Sequence, residues 1–271
     1  MPELAEVHYF SGCWSAGTGR ALVSIHANGK ARLFRGCDVA GMKSNLPGAR
    51  FKASRTHGKQ MLFEFSGGRW LGLHLGMTGE LAAKPEPYEP AKHDHLVLHT
   101  KPFALVFNDP RQFGAVTFYE GKSPPEFWRA LPPQPMDKAF TPERVAEILQ
   151  RHARQPLKAL LLDQRYFPGI GNWMADEVMW QLKLPPHIGA GTLSAKQSRG
   201  LWRTLRKVCR VALKTIGSDW SDPPKSWLFG HRWARGGACP RCGTKLRHEK
   251  LRGRTACWCP TCQAIDVLRA A

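Results

Sequence analysis

Two Cys-x2-Cys pairs separated by sixteen residues lie near the C-terminus, in the stretch CPRCGTKLRHEKLRGRTACWCPTCQ. This is the spacing of a two-knuckle zinc ribbon, in which each pair directs two thiolates at one tetrahedral centre. Four protein ligands leave no open coordination position, so the metal is expected to be structural and the intervening residues to form a β-hairpin with a basic tip. We predict one zinc ion, bound by Cys239, Cys242, Cys259 and Cys262.

The other cysteines do not complete a disulfide framework. Cys13, Cys37 and Cys209 are scattered along the chain, and we interpret Cys257 as a packed thiol, not a fifth ligand. The chain has no run of eighteen apolar residues, and its acidic, polar start lacks the pattern of a signal peptide. The sequence therefore predicts a cytoplasmic protein without a membrane span, where the reducing environment disfavours disulfides.

The charge balance indicates a polyanionic partner. Lys and Arg number 40 against 21 Asp and Glu, which gives a net charge of +19 and an isoelectric point near 10.0. Nucleic acid is the leading candidate for such a partner. An anionic membrane surface is the rival, but the basic residues are interleaved with Trp, Gly and His and do not form one amphipathic helix with a large apolar face.

The pattern of apolar residues predicts an α+β multidomain protein whose first domain, residues 2–132, is an antiparallel β-sandwich with flanking helices. Leu4, Val7 and Trp14 recur near helical spacing, and Gly17 is expected to end that helix. Short β-type segments follow, separated by Gly, Pro, Asn or Asp. They are ALVSI, RLF, MLFEF, WLGLHL, HLVLHT, FALVF and AVTFYE.

A proline-rich linker, residues 133–140, leads to a helical domain over 141–235, and the zinc ribbon occupies 236–266. TPERVAEILQRHA begins with an N-cap Thr followed by Pro, and Asn172 is expected to cap the helix after the turn GIGN. Two more helices are predicted, LKALLLDQ and one from about Ser194 to Gly217. The latter carries seven bases and no acid, which indicates either a solvated face or a phosphate-binding surface.

Seven blocks, in this order and over nearly the whole chain, resemble the formamidopyrimidine-DNA glycosylase and endonuclease VIII (Fpg/Nei) family. They are MPELAEV, GKQMLFEF, HLGMTG, KHDH, NDPRQFG, LLDQRYFPGIGNWMADE and the terminal CPRCG and GRTACWCPTCQ. The resemblance implies a helix-two-turns-helix fold for the second domain. It also implies a bacterial, monomeric bifunctional glycosylase and abasic-site lyase of base excision repair. Such an enzyme acts on damaged double-stranded DNA and associates with the nucleoid when bound.

The start MPELAEV matches the catalytic end of that family. By itself the heptapeptide favours a simpler interpretation, a proline at the first turn of a helix, where its missing N–H costs nothing. Excision of Met1 would expose the secondary amine of Pro2, and an α-amino group titrates at roughly 7.7 to 8.0, so an appreciable fraction is nucleophilic near neutrality. Glu3 is then the expected proton donor or shuttle, and Glu6 a second carboxylate that orients the amine, or else a residue favoured by the helix dipole.

The resemblance assigns the remaining site residues. Lys59 in the GKQ turn is expected to reach a phosphate near the lesion and assist catalysis. Further phosphate-binding positions are expected at His74, Asn172 and Arg254, and residues that fill the stack vacated by an extruded base at Met77, Arg111 and Phe113. We assign no metal to His93, Asp94 and His95, which are interpreted as a polar strand terminus.

The sequence departs from the family in two places. Position 5 is Ala where the family usually has Pro, which relaxes the first turn and alters how rigidly Pro2 and Glu3 are presented, although activity should survive. The region before the zinc ribbon is short and lacks the start of the loop with which oxidised-guanine members recognise the lesion, which leaves the substrate open. Formamidopyrimidines, oxidised pyrimidines and abasic sites are therefore comparable substrates. Four aromatic residues of this region either stack on a base or pack the loop against the helical domain; they are Trp220, Trp227, Phe229 and Trp233. A non-catalytic DNA-binding protein of the same shape is the alternative function.

Overall fold

The computed structural model describes residues 1–234 and 236–264, so the predicted domain limits at 235 and 266 lie outside the described residues. The chain divides into two units. The first contains Met1–Pro2 and Glu6–Leu131, and the second contains Glu3–Ala5 and the chain from Pro132 onward. Among the described residues, no helix is both long and apolar enough to cross a membrane.

The first unit is a β-sandwich of two four-stranded antiparallel sheets, as the sequence predicts. One sheet has the strand order β1-β6-β7-β5 and the other β2-β3-β4-β8. Buried side chains from both sheets, including Phe63, Leu71, Leu98 and Phe107, form one core. The elements are α1 (Leu4–Cys13), β1 (Ser24–Ala27), α2 (Val39–Asn45), β2 (Phe51–His57), β3 (Gln60–Phe65), β4 (Arg69–His74), β5 (Glu80–Pro85), β6 (Asp94–His99), β7 (Phe103–Asn108), β8 (Ala115–Glu120) and α3 (Glu126–Arg129).

Several local predictions in this unit are wrong for identifiable reasons. The segment RLF forms a 3-10 turn, Arg32–Phe34, whose Leu33 and Phe34 enter the core without any strand partner. The sequence pattern missed β2 and β5 because they are polar or Ala-rich edge strands of low β-propensity, held by ladder hydrogen bonds to β3 and β7. Helix α1 ends at Cys13, and a 3-10 turn continues to Gly17.

The second unit is helical and carries a terminal β-hairpin. Its helices are α4 (Pro142–Arg151), α5 (Leu157–Leu161), α6 (Asn172–Gln181), α7 (Ala195–Lys214) and α8 (Ile216–Asp219), and its strands are β9 (Arg247–Leu251) and β10 (Arg254–Trp258). The predicted N-cap of α4 is confirmed, since the Thr141 hydroxyl accepts the amide of Arg144. Ser194 and Gln197 form a capping box at the start of α7.

The hairpin is antiparallel, with Arg254 opposite Leu251, and turns through Arg252 and Gly253. Both turn residues have positive φ, 45° and 79°, as a two-residue turn between twisted strands requires. This places exposed Arg252 and Arg254 at its tip and confirms the expected basic hairpin.

Candidate active site and metal centre

The most constrained predicted site residue is Glu3, which lies immediately before α1. Its side chain is 2% exposed, and its carboxylate accepts three backbone N–H groups at the start of α6. Oε2 accepts from Gly171 at 3.0 Å and from Met174 at 3.1 Å, and Oε1 accepts from Trp173 at 2.9 Å. These donors and the positive end of the helix dipole favour the ionised carboxylate.

The GIGN turn is shaped to receive this carboxylate. A Cβ on Gly171 would lie 2.2 Å from Cδ of Glu3, so only glycine allows so close an approach. Gly169 has a φ of +85°, and its carbonyl accepts the amide of Leu4 at 3.0 Å. The turn therefore binds the N-terminal segment at two consecutive residues, Glu3 and Leu4.

The predicted capping role of Asn172 is wrong. The N-cap of α6 is Gly171, Asn172 is the first helical residue, and no side chain of the helix caps it. The amides that an N-cap side chain would bind are taken by Glu3. The buried Oδ1 of Asn172 has no hydrogen-bond partner among the described residues.

Lys59 and His74 lie at one end of the sheet formed by β2, β3, β4 and β8. Lys59 is the second residue of the two-residue turn between β2 and β3, where Gly58 has a φ of +56°, and the next residue, Gln60, pairs with His74. The Gly76 amide donates to Nδ1 of His74 at 3.0 Å. Burial, aided by the nearby Lys59 charge, lowers the pKa of His74. A neutral imidazole with an acceptor at Nδ1 carries its proton on Nε2, which is therefore the donor.

The three residues predicted to fill a vacated stack are exposed and lie on two loops. Met77 is 38% exposed and follows β4, whereas Phe113 is 41% exposed and lies between β7 and β8. The guanidinium of Arg111 lies 4.7 Å from the centre of the Phe113 ring, a cation–π distance. Without the family resemblance, Met77 and Phe113 would be expected in the core, but the structure places both at the surface.

Asp109, which sequence analysis missed, holds these two loops together. It is fully buried, and its carboxylate accepts the Thr78 hydroxyl at 2.8 Å and the amides of Arg111 and Gly114 at 3.2 and 2.8 Å. Thr78 follows Met77, and Gly114 follows Phe113. One carboxylate thus ties together both loops that carry the exposed apolar side chains.

Asp109→Ala should destabilise the protein by about 3–5 kcal/mol, because it leaves three partly buried donors without the acceptor they share. The midpoint of urea unfolding measures the loss. Asp38→Ala is the control, since Asp38 caps α2 from an exposed position, accepting the Gly41 amide at 2.8 Å, and its removal should cost only about 1 kcal/mol. Equal midpoints for the two variants would contradict the role assigned to Asp109.

The four predicted zinc ligands converge. The Sγ atoms of Cys239, Cys242, Cys259 and Cys262 all lie within 4.8 Å of one another. The Cys239–Cys262 and Cys242–Cys259 pairs are 3.9 and 3.5 Å apart. Zinc–sulfur bonds of about 2.3 Å in a tetrahedron require sulfur separations of about 3.8 Å, so the cluster fits a zinc ion. Cys257 lies outside the cluster and is buried, as expected for a packed thiol.

Neighbouring groups orient this centre. Trp180 of α6 donates its indole N–H to Sγ of Cys239 at 3.3 Å, and Arg241 lies 4.1 Å from the centre of the Trp180 ring. A donor to a ligand sulfur fixes the ligand's orientation. The metal centre is therefore attached to α6 through Trp180, which packs in one apolar cluster with Cys239 and Cys259.

Cys259→Ser should lose zinc and unfold the β9–β10 hairpin, because structural zinc contributes about 10–16 kcal/mol of apparent binding energy that the short hairpin does not replace. Metal content per chain and amide hydrogen exchange over residues 247–258 measure the two effects. Cys257→Ser is the matched control and should keep one zinc per chain. Loss of zinc from both variants alike would refute the four-ligand assignment.

A buried ionic network, also missed from sequence, joins α5, α6 and β10. The Asp176 carboxylate accepts hydrogen bonds from Nζ of Lys158 at 2.5 Å, Nη2 of Arg232 at 2.7 Å and the Cys257 amide at 3.1 Å. Lys158 also donates to the Thr255 carbonyl at 2.9 Å. Burial lowers the pKa of Lys158, opposed by the charge of Asp176. Both strand contacts are backbone groups of β10, so the network positions the hairpin on α6.

Of the four aromatic residues before the zinc ribbon, two are packed within the helical unit and two are exposed. Trp227 is buried in the helical core, and Phe229 packs edge-on against Trp173. Trp220 and Trp233 are 48% and 61% exposed. Glu177 anchors the segment by accepting the Phe229 amide at 3.1 Å, and burial raises its pKa to about 7.

A β-sandwich, a helical unit that contains the GIGN turn and a cluster of four cysteine thiols follow one another along the chain. Three family models match in succession. The formamidopyrimidine-DNA glycosylase N-terminal domain matches residues 1–116, the formamidopyrimidine-DNA glycosylase H2TH domain matches 131–222, and the zinc finger found in FPG and IleRS matches 236–265.

Known proteins are similar to this chain in sequence and in structure over most of its length. Formamidopyrimidine-DNA glycosylase of Roseiflexus sp. (strain RS-1) is 32% identical over 97% of this chain and 100% of the relative. The Thermus thermophilus enzyme is 37% identical over 80% of this chain and 83% of the relative. MutM in complex with carbocyclic 8-oxo-G containing DNA has a TM-score of 0.86 at 26% identity, covering 97% of this chain and 100% of that one.

Wild-type Lactococcus lactis Fpg with N7-benzyl-Fapy-dG containing DNA has a TM-score of 0.87 at 25% identity, with the same coverage. The chain belongs to the formamidopyrimidine-DNA glycosylase family of DNA repair proteins.

Proposed function

We propose that this protein is a bifunctional DNA glycosylase and abasic-site lyase of base excision repair. It excises oxidised or ring-opened bases from double-stranded DNA through Pro2. The observation that carries the proposal is the burial of Glu3 against Gly171, Trp173 and Met174. Because Pro2 is one peptide unit away, fixing Glu3 restricts the position of the amine, which matters for a nucleophile and has no use in simple DNA binding.

The chemistry begins after excision of Met1. The Pro2 nitrogen bonds to C1′ of the extruded nucleotide, the bond from C1′ to the base breaks, and the base leaves with a proton. Opening of the sugar, with a proton to its ring oxygen, gives an iminium ion between Pro2 and C1′. Glu3, held as a carboxylate, accepts the single proton of the attacking secondary amine and passes it to the base or the ring oxygen, and a solvent water supplies the other proton.

The iminium ion acts as an electron sink. It acidifies the C2′ hydrogen, so loss of that proton expels the 3′ phosphate by β-elimination, and a second elimination expels the 5′ phosphate. Hydrolysis of the iminium then regenerates Pro2. Glu6, half-buried in the first turn of α1, orients the amine in this proposal, and Lys59 reaches a phosphate beside the reacting sugar.

DNA contacts complete the proposal. Nε2–H of His74, the Asn172 amide and Arg254 bind phosphates, while Met77, Arg111 and Phe113 fill the space left by the extruded base. Solved relatives of this fold carry DNA with an 8-oxoguanine or formamidopyrimidine analogue or an abasic site, which supports this substrate class. We further propose a monomer in the bacterial cytoplasm, with functional domains at 2–132, 141–235 and 236–266 joined by a linker at 133–140.

The test is borohydride reduction in the presence of a duplex that contains an abasic site. A covalent protein–DNA adduct that maps to the N-terminal peptide supports the enzyme. DNA binding without an adduct would instead support the alternative, a non-catalytic DNA-binding protein of the same fold. Incision of duplexes with a single formamidopyrimidine, 8-oxoguanine, oxidised pyrimidine or abasic site then ranks the substrates.

A further inference from the structure

Helix α7 presents a continuous basic face to solvent. Six exposed cationic side chains recur every three or four residues along it, which are Lys196, Arg199, Arg203, Lys207, Arg210 and Lys214. At about 100° per residue they fall within an arc of about 80°, and at 1.5 Å per residue they extend over about 27 Å. We call these six residues the basic face of α7.

The six side chains of the basic face do not stabilise the fold through ion pairs. Within residues 1–234 and 236–264, none of the six makes an ion pair. Like charges three and four residues apart destabilise a helix, and Lys196 in the first turn opposes the helix dipole. By contrast, the seventh base, Arg206, has a structural partner, because it donates to the carbonyls of Pro135 and Asp137 at 2.8 and 3.0 Å.

The apolar face of α7 is packed inside the helical unit, so it is not available to insert into a membrane. Leu201, Leu205, Val208 and Ala212 are fully buried in the helical core. The helix therefore has no apolar face left to enter a bilayer, which an interfacial helix needs. The cationic side chains of α7 are suited to a partner that carries phosphate groups on its surface.

The basic face is also distinct from the proposed phosphate contact at GIGN. Lys207 donates to Oε1 of Gln181 at 3.2 Å, and Gln181 is the last residue of α6. GIGN precedes the first residue of α6, and the ten-residue helix is about 15 Å long. Lys207, in the middle of the basic face, thus lies beside the opposite end of α6.

We propose that the basic face of α7 is a second DNA-binding surface, which contacts the sugar–phosphate backbone of duplex DNA without reading lesion or sequence. One strand of B-DNA carries a phosphate every 3.4 Å along the axis, so about eight phosphates span about 27 Å. The three arginines offer planar forks for phosphate oxygens. This surface requires neither Pro2 nor a damaged base, so it goes beyond the proposed excision reaction.

The test uses the full-length protein with Lys196→Glu, Lys207→Glu and Lys214→Glu combined. These changes create Glu–Arg pairs three or four residues apart with Arg199, Arg203 and Arg210, so the helix should fold at least as well. The matched control combines Lys84→Glu, Lys101→Glu and Lys122→Glu, three exposed lysines of the sandwich unit. Both triple variants change the net charge equally, and thermal unfolding verifies that each is folded.

Fluorescence anisotropy with an undamaged duplex, at several salt concentrations, measures binding. The α7 variant should bind at least tenfold more weakly, with the slope of log K against log salt reduced by about 2–3, since each phosphate contact contributes about 0.9. The control should keep the wild-type slope. Equal losses in both variants, or loss of binding to phosphatidylserine vesicles with unchanged DNA binding, would overturn the proposal. Borohydride trapping of both variants reports separately on the excision chemistry.

Discussion

Insertion of a lysine between Met1 and Pro2 is expected to reduce borohydride trapping to background while leaving DNA binding intact. Initiator methionine is removed when the second residue is small, and lysine prevents that removal. The Pro2 nitrogen then lies inside an amide bond and has no basic lone pair with which to attack C1′. Intact-protein mass spectrometry verifies the retained methionine, and gel analysis of reduced complexes measures the adduct.

Pro2→Gly is the matched variant for this experiment. Methionine is still removed, and the primary amine of glycine titrates near the same value of roughly 7.7 to 8.0, so a weaker adduct should persist. Glycine also lacks the ring that restricts φ, and the amine becomes less well positioned. Undiminished strand scission by a chain that retains methionine would overturn the proposed nucleophile.

Sequence reasoning succeeded where one local pattern determines one local structure. The N-cap Thr141 before a proline, the helix start near Ser194 and the two Cys-x2-Cys pairs are each determined by residues a few positions apart or by a repeated spacing. It failed for β2 and β5, whose side chains are not strand-like and whose conformation depends on neighbours in the sheet. The resemblance to a family predicted the fold because members of a family share the strand pairing between distant segments, which a local pattern does not encode.

Local sequence patterns also failed to predict the contacts that residues of the site make with distant parts of the chain. The capping hydrogen bonds assigned to Asn172 are instead accepted by Glu3, which is about 170 residues away in sequence, and no local pattern reports such a contact. Asp109 stands in a recognisable block, NDPRQFG, but its connection to Thr78 requires the sheet to bring two loops together. Lys158, Asp176 and Arg232 are individually ordinary charged residues, and only the fold shows that they share one buried network.

Glu3→Gln is expected to slow base excision by about 10²–10⁴-fold, the usual contribution of general acid–base catalysis. The amide is nearly the same size as the carboxylate but does not accept and return a proton. It also has a single oxygen for the three amides of residues 171, 173 and 174, so its NH₂ group must face at least one N–H donor. We expect a loss of about 1–3 kcal/mol in unfolding free energy.

Comparison of two substrates separates chemistry from structure in this variant. A duplex with a damaged base requires proton transfer to the leaving base, whereas a preformed abasic site does not. Single-turnover rates should therefore fall much further on the first substrate, while Glu6→Gln, at a half-buried position in the first turn of α1, should have the smaller effect on both. If Glu3→Gln slows both substrates equally, Glu3 does not protonate the leaving base, and that proton transfer must be assigned to another residue.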